Sequence, residues 1–355
     1  MRFLVIGAGA IGGSAGAYLA RAGHDVLLVD AEEAHVRRIR QAGLRMEGRE
    51  DFTIAVPAAT PADMASALGG VPPEAVILAV KSQHTEAALA PLVPLLGPDS
   101  FVLSMQNGLN PQAVAARVGA GRTLAAFVNS MGTDYQEPGR IMYGGPGTMR
   151  IGELDGRITP RLTELVAVMR DCFVANAEAT DNVWGYLWGK EGFGAMLFAG
   201  AVMDQTIADL LASPENRNLL ADIAGEVVRV ADAEGVRCEP FDGYDPAAMR
   251  FARPRDWRSV EASLGGLERR YRASLKPKSG IWRDLVVRHR PTEVDAQLGI
   301  VAQLARPRGI GVPLIDRVVA MIHEIERSER RMDPANMAEL RVLDRGAYPN
   351  GELAT

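Results

Sequence analysis

Cysteine is scarce in this chain: among 355 residues only Cys172 and Cys238 occur, far apart and in no CxxC arrangement. That count excludes a disulfide-stapled secreted scaffold and leads us to expect a reduced, cytoplasmic protein. Long apolar runs are missing too. The longest late stretch, Phe193–Met203, is about half of the roughly 20 residues that a bilayer span requires, so no membrane segment is expected. At the other end, a glycine-rich turn begins at Gly7, where a signal peptide would continue its apolar region. Nor is there a basic excess. With 39 Lys+Arg against 44 Asp+Glu and a net charge of −5, the chain lacks the electrostatic footprint of a nucleic-acid binder. What is present, 47% hydrophobic and 23% charged residues, is the balance of an ordinary globular protein and excludes whole-chain disorder or a collagen-like fibre. The length suggests two domains of about 150 residues each.

Through the first half, strand and helix signals alternate. Phe3–Ile6, Val26–Asp30, Ala75–Val80, Phe101–Ser104 and Leu124–Val128 read as short buried strands, with helical stretches such as Ala10–Ala22 and Glu32–Ala42 between them. That pattern predicts an α/β domain with a doubly wound parallel sheet covered on both faces. Arg140–Tyr143 and Thr148–Ile151, flanking Gly144-Gly145-Pro146-Gly147, read as a hairpin. After a helix at Arg161–Arg170 the strand signals fade. Helical patterns follow at Val183–Phe198, Pro214–Glu234, Thr292–Arg306 and Pro313–Arg327, with Ser213-Pro214 as a helix start. The expected division is therefore a Rossmann-type domain over 1–180, a helical domain over 181–330 and a polar, loosely docked tail over 331–355. Within the second domain, 241–275 is charged and broken by Pro246, Pro254 and Gly265-Gly266. It reads as an insertion: a solvated connection, a lid or an oligomer contact.

Gly7, Gly9 and Gly12 fit G-x-G-x-x-G, with Ala10 and Ile11 between the last two. The first glycine allows a tight turn, the second lets backbone approach a pyrophosphate, and the third lets the helix lie close to the strand. The helix N-terminus then offers free N–H groups and a favourable dipole to the phosphates. A glycine-rich turn with no ligand is the alternative. Here, however, the motif follows a strand, opens a helix, and is followed about 20 residues on by Asp30 at the end of the second strand, which is the context of a dinucleotide site. An acid at that position bonds the ribose 2′-hydroxyl and repels a 2′-phosphate, which favours NAD. Arg37 and Arg38, one turn further, keep NADP open.

The order and spacing of several short motifs resemble the ketopantoate reductase (2-dehydropantoate 2-reductase) family over most of residues 1–328. They are GAGAIG at 7–12, Val80-Lys81, Gln106-Asn107-Gly108, Pro138-Gly139, Trp188-Gly189-Lys190, Lys278-Ser279 and Pro291-Thr292-Glu293-Val294-Asp295. The resemblance implies a Rossmann domain followed by an all-helical domain of the 6-phosphogluconate dehydrogenase C-terminal type, with the active site in a cleft between them. It also implies an NAD(P)-dependent oxidoreductase acting on a small 2-oxo or 2-hydroxy acid. Lys190 matches the family's catalytic lysine, a proton donor whose charge also supports oxyanion character at the carbonyl. Burial would lower its pKa toward neutrality. The alternative is a surface lysine at a helix end. Glu293 matches the acid that positions the lysine or a substrate hydroxyl; helix-start chemistry behind Thr292 is the alternative. Ser279 matches a serine that contacts the substrate carboxylate, and it is also a natural N-cap before Ile281-Trp282. Asn107, in the loop after the fourth strand, matches an asparagine that touches the nicotinamide ribose and lies near substrate. Lys81 matches a cofactor-contacting lysine, or is a solvated loop residue.

Two positions depart from the family. Its members usually carry asparagine one turn after the catalytic lysine, where this chain has Gly194, and three residues before the substrate serine, where it has Lys276. Lost polar groups change which analogues a site accepts, so the substrate is expected to differ from ketopantoate. Gly192 and Gly194 would open room, and Lys276 with Lys278 would meet a second anionic group. Ketopantoate reductase proper is the main rival reading; a dinucleotide sensor without turnover is the rival of another class. A homodimer is expected on base rates alone.

Overall fold

The computed structural model describes residues 1–145, 147–252 and 254–349, and the chain divides into two compact units, Met1–Val183 and Trp184–Thr355. In the first unit, β1 (Arg2–Ile6) leads into α1 (Ala10–Arg21), β2 (Asp25–Val29) and α2 (Glu33–Ala42). Next come β3 (Leu44–Gly48), β4 (Phe52–Ile54), β5 (Ala58–Ala59), α3 (Met64–Leu68), β6 (Ala75–Leu78), α4 (Thr85–Leu92), β7 (Phe101–Ser104), α5 (Pro111–Val118) and β8 (Thr123–Asn129). The unit finishes with β9 (Asp134–Glu137), β10 (Arg140–Tyr143), β11 (Thr148–Glu153), α6 (Pro160–Cys172) and β12 (Ala177–Ala179).

The main sheet has eight strands in the order β12-β11-β8-β7-β6-β1-β2-β5. From β5 to β8 every pairing is parallel; β11 runs antiparallel to β8 and carries β12 at the edge. The unbroken apolar strands arise from burial on both faces. Phe3, Val5, Leu28, Ile77 and Leu103 enter one core, while Leu4, Ile6, Val29, Val76 and Val102 enter the other, as the two-residue period of a strand requires. Strand order reverses at β1, which has β2 on one side and β6 on the other. Ligands of such sheets bind at the carboxyl ends of the strands beside that reversal.

The hairpin expected around the glycine-rich stretch lies elsewhere. β10 pairs antiparallel with β9 across Pro138-Gly139 and parallel with β3, in a second sheet ordered β4-β3-β10-β9, whereas β11 belongs to the main sheet. Gly144, Gly145 and Gly147 therefore carry the chain from one sheet to the other; Pro146, which the hairpin reading included, is outside the described residues. Both Arg140–Tyr143 and Thr148–Ile151 alternate correctly for strands, and local pattern does not choose a strand's partner.

The second unit is helical. It contains α7 (Val183–Gly200), α8 (Ile207–Ala212), α9 (Arg217–Ala233), α10 (Trp257–Arg272), α11 (Gly280–Trp282), α12 (Ile300–Ala305), α13 (Pro313–Glu326) and α14 (Pro334–Ala347). Short π-helical turns at Arg283–Val287 and Asp295–Gly299 precede α12. α9 is the central helix, with Leu219–Val228 buried on every side. The 241–275 segment is neither a lid nor a solvated connection along most of its length. α10 packs on α8 and buries Val260, Leu264 and Leu267, and Met249 and Tyr244 are also in the core. Gly265-Gly266, which looked like a break, lies within α10: Gly266 lets the backbone of Gly243 approach closely. The tail is docked rather than loose up to Tyr348. α14 packs on α9 and α13, burying Met337 and Leu340. Asn336 donates to the Val202 carbonyl at 2.8 Å and the Tyr348 hydroxyl donates to Glu226 at 2.7 Å. Residues 350–355 of the expected tail lie outside the described residues. Among the described residues no helix is long and apolar enough to cross a membrane.

Candidate active site

In the first unit, the turn after β1 has the form that a pyrophosphate needs. Gly7 adopts φ +92° and lies so close to the backbone at Ala79-Val80 that a Cβ would come within 2.7 Å of the Val80 nitrogen. A Cβ on Gly12 would come within 2.1 Å of the Gly7 carbonyl, so only glycine lets α1 start here. Gly9 is different: its missing Cβ faces open space, the place where a phosphate would approach. Ala10 and Ile11 form the first helical turn, with unpaired N–H groups at the dipole's positive end.

The turn is held from two sides. Asp30, just past β2, accepts the Ala8 N–H at 2.8 Å through one carboxylate oxygen and the Glu32 N–H at 2.9 Å through the other. Each oxygen keeps acceptor capacity, so the ribose role assigned to Asp30 is sterically and chemically compatible with this local one. Buried His35 accepts the Gly139 N–H at its Nδ1 (2.8 Å), which leaves its Nε2–H to donate to the Ala8 carbonyl (2.9 Å). Arg37 is exposed on α2, and the stem of Arg38 packs against Gly139.

Lys81 and Asn107 follow β6 and β7, and buried side chains tie their loops together. Gln106 donates to the Val80 carbonyl at 3.0 Å and to the Thr85 hydroxyl at 2.7 Å. Asn110 donates to the Ser82 hydroxyl at 2.7 Å and to the Asn107 carbonyl. The sequence reading gave Gln106 no role beyond its motif and missed Asn110. Their signal, two amides in the loop after β7, is visible only once that loop and the one after β6 are known to be neighbours. Asn107 itself is exposed and Lys81 is half-buried.

In the second unit, Lys190 sits on α7 and is half-buried. Burial pushes its amine down to about 8, while the charges of Glu191, Glu293 and Asp242 oppose the shift. Glu293, 6% exposed, is therefore close enough to act on the lysine's charge. Thr292, in front of it, donates from its N–H (2.7 Å) and its hydroxyl (2.8 Å) to Glu326 of α13, which fixes the segment. Asp242 escaped the sequence reading. Its backbone has φ +51°, a conformation in which Asp is over-represented, and its carboxylate lies 3.5 Å from Arg270.

α7 carries a stripe of Lys190, Gly194 and Leu197, successive turns of one face, and Ala201 just past its end continues it. Leu197, Ala201 and Leu210, together with Gln205, Trp282 and Ser279, line a shallow, half-open recess with room for about one water. Ser279 caps α11, accepting the Trp282 N–H at 3.1 Å; this acceptor role leaves its O–H able to donate. Lys276 is half-buried three residues earlier. Lys278 is committed elsewhere: it pairs with Asp204, which also accepts the Trp282 indole N–H at 2.8 Å. The expected room at Gly192 is absent as well, because a Cβ there would come within 3.0 Å of the Tyr244 hydroxyl. Room exists at Gly194 alone of the two.

Residues 3–156 match the model of the ketopantoate reductase PanE/ApbA family, and residues 192–326 match that of its C-terminal part. The chain belongs to the ketopantoate reductase family. A 2-dehydropantoate 2-reductase of Mesorhizobium japonicum is 27% identical over 92% of this chain and 98% of that protein. A crystallised PanE/ApbA family ketopantoate reductase of Ralstonia eutropha is also 27% identical, with a TM-score of 0.76 over 93% of this chain and 99% of that one. D-mandelate dehydrogenase, crystallised with NADH and anilino(oxo)acetate, has the same fold at 20% identity, with a TM-score of 0.78 over 92% of this chain and 99% of that one. This ketopantoate reductase family member is an NAD(P)-dependent oxidoreductase acting on CH–OH or C=O. Among the described residues no cluster of acids, histidines and cysteines is suited to hold a metal.

Proposed function

We propose that this protein is a 2-oxo acid reductase, or a 2-hydroxy acid dehydrogenase in reverse, that prefers NAD(H) and takes a side chain bulkier than that of ketopantoate. The observation that carries the proposal is Lys190, an amine held near pH 8 by burial and flanked by Glu293 and Asp242. Such a group is half-protonated close to neutrality and can both give and take a proton there.

Bound NAD(P)H supplies the hydride. Lys190 donates a hydrogen bond to the carbonyl oxygen, stabilises its growing negative charge and passes it the proton. Glu191, Glu293 and Asp242 keep the ammonium from being lost altogether to burial. Ser279 donates its free O–H to the substrate carboxylate, with Lys276 nearby as positive charge. In the first unit, Gly7, Gly9, Ala10, Ile11 and Gly12 would hold the pyrophosphate, Asp30 would accept the ribose 2′-hydroxyl, and Lys81 and Asn107 would contact the nicotinamide half. The bare turn at Gly194, where an added Cβ would meet nothing nearer than 3.5 Å, supports a branched or aryl side chain. D-mandelate dehydrogenase carries an aryl-bearing oxo acid with NADH on the same fold. Homodimerisation is the expected assembly, checked by light scattering.

Ketopantoate itself is the second reading, favoured by the relatives' names. Absorbance of NADH and NADPH with ketopantoate and a panel of branched and aryl 2-oxo acids decides between them. The proposal expects a higher kcat/KM with NADH and a bulky oxo acid; ketopantoate ranking first with NADPH would overturn it.

A further inference from the structure

Gly194 leaves α7 bare one turn beyond Lys190. The side chain nearest to that gap comes from another segment: a Cβ built on Gly194 would lie 3.5 Å from Oε1 of Gln297. Gln297 stands one turn after Glu293, to whose carbonyl its own N–H donates at 3.0 Å. Two adjacent turns thus face each other as matched pairs, Lys190 with Gly194 and Glu293 with Gln297. Gln297 is only 8% exposed, yet among the described residues its amide makes no hydrogen bond. Neither atom of that amide is among the sealed, partnerless polar atoms of the described residues, so the amide reaches open space and is free to meet a ligand without a penalty in the fold. A glutamine that served only to fill the space beside Gly194 would do so better as leucine or methionine.

We infer that Gln297 is a substrate-binding residue, its amide hydrogen-bonding the 2-oxo acid beside the carbonyl that Lys190 protonates. The inference rests on the oxo acid reductase reading of the Lys190 site. The amide offers two donors and one acceptor. It meets the polar atoms next to the reacting carbon, and its length from a neighbouring turn leaves the Gly194 gap for the substrate itself.

Gln297→Met keeps the size and removes the polarity. With the best 2-oxo acid of the panel, it should lower kcat/KM on the order of 10- to 100-fold, mainly through KM. The NADH dissociation constant and melting temperature should hold. Gly194→Asn should also lose activity, because its side chain would fall where Oε1 now lies. In the double variant Gly194→Asn/Gln297→Ala, which moves the amide onto α7, activity should exceed the product of the two single effects. A Gln297→Met enzyme with KM within twofold of wild type, or strictly multiplicative losses in the double variant, would overturn the inference while leaving the reductase reading intact. Wild-type enzyme that reduces no 2-oxo acid would remove that reading first, and the inference with it.

Discussion

On the proposed function, the two units recognise their ligands by opposite means. The first relies on backbone and on atoms that are missing: Gly7 and Gly12 permit close approach and Gly9 leaves space. The second relies on side chains that are present, with the charges of Glu191, Glu293 and Asp242 opposing the effect of burial on Lys190. The first site should therefore fail when atoms are added, and the second when atoms are removed.

The largest effect is expected in the second unit. Lys190→Met should lower kcat for oxo acid reduction on the order of 10³- to 10⁴-fold, the upper range for a general acid. NADH binding, followed by fluorescence, should stay within a few-fold. Equal losses in both would mean that Lys190 is structural. In the first unit, Gly12→Ala puts a Cβ 2.1 Å from a carbonyl that cannot yield, and should weaken NADH on the order of 10- to 100-fold by overpacking. Unchanged binding would show that α1 can shift freely. Smaller still, Asp30→Asn keeps an acceptor for the Ala8 N–H but removes the charge. The ratio of NADH to NADPH affinity should fall about tenfold in the variant, the scale of one charge-assisted hydrogen bond. A constant ratio would mean that Asp30 serves the turn alone.

The smallest effect tests the docked tail. Burial and the neighbouring carboxylate of Asp222 keep the Asp344 carboxyl protonated well above the ordinary carboxylate range. A carboxyl whose pKa is raised by folding contributes stability that is complete below its unfolded pKa near 4. That contribution is lost as pH rises through the folded value. The melting temperature should therefore fall between pH 5 and pH 9. Asp344→Asn, always neutral, should lie about 2–4 °C above wild type at pH 9 and gain nothing at pH 5. The same difference at both pH values would remove titration as the cause.

Sequence made the first site readable because backbone requirements leave glycines at fixed offsets, with Asp30 after the next strand. What it hid were the restraints from distant segments, such as His35 bridging Ala8 and Gly139, or Gln106 joining two loops. The second site was legible only through the family's short motifs around Lys190, Ser279 and Glu293, although the scarcity of lysine is consistent with it. Only four of the chain's 39 basic residues are lysines, Lys81, Lys190, Lys276 and Lys278, in a protein that otherwise uses arginine. Lysine is the cation whose pKa burial can lower, whereas arginine stays charged. Spacing did not reveal which of these lysines is neutralised by a partner, as Lys278 is by Asp204, nor that Asp242 and Gln297 face the same helix as Lys190. Strand pairing was the other loss: β10 and β11 alternate correctly but join different sheets.

The pH profile of kcat/KM in both directions tests the central claim, that Lys190 is the proton donor, most directly. With its amine near 8, oxo acid reduction should be level below about pH 8 and fall tenfold per unit above it. Hydroxy acid oxidation, which needs the neutral amine, should rise through the same value. Lys190→Arg, charged throughout, should be slow and show neither inflection. A wild-type profile flat from pH 7 to 9.5 in both directions, or an inflection that survives in Lys190→Arg, would contradict the account.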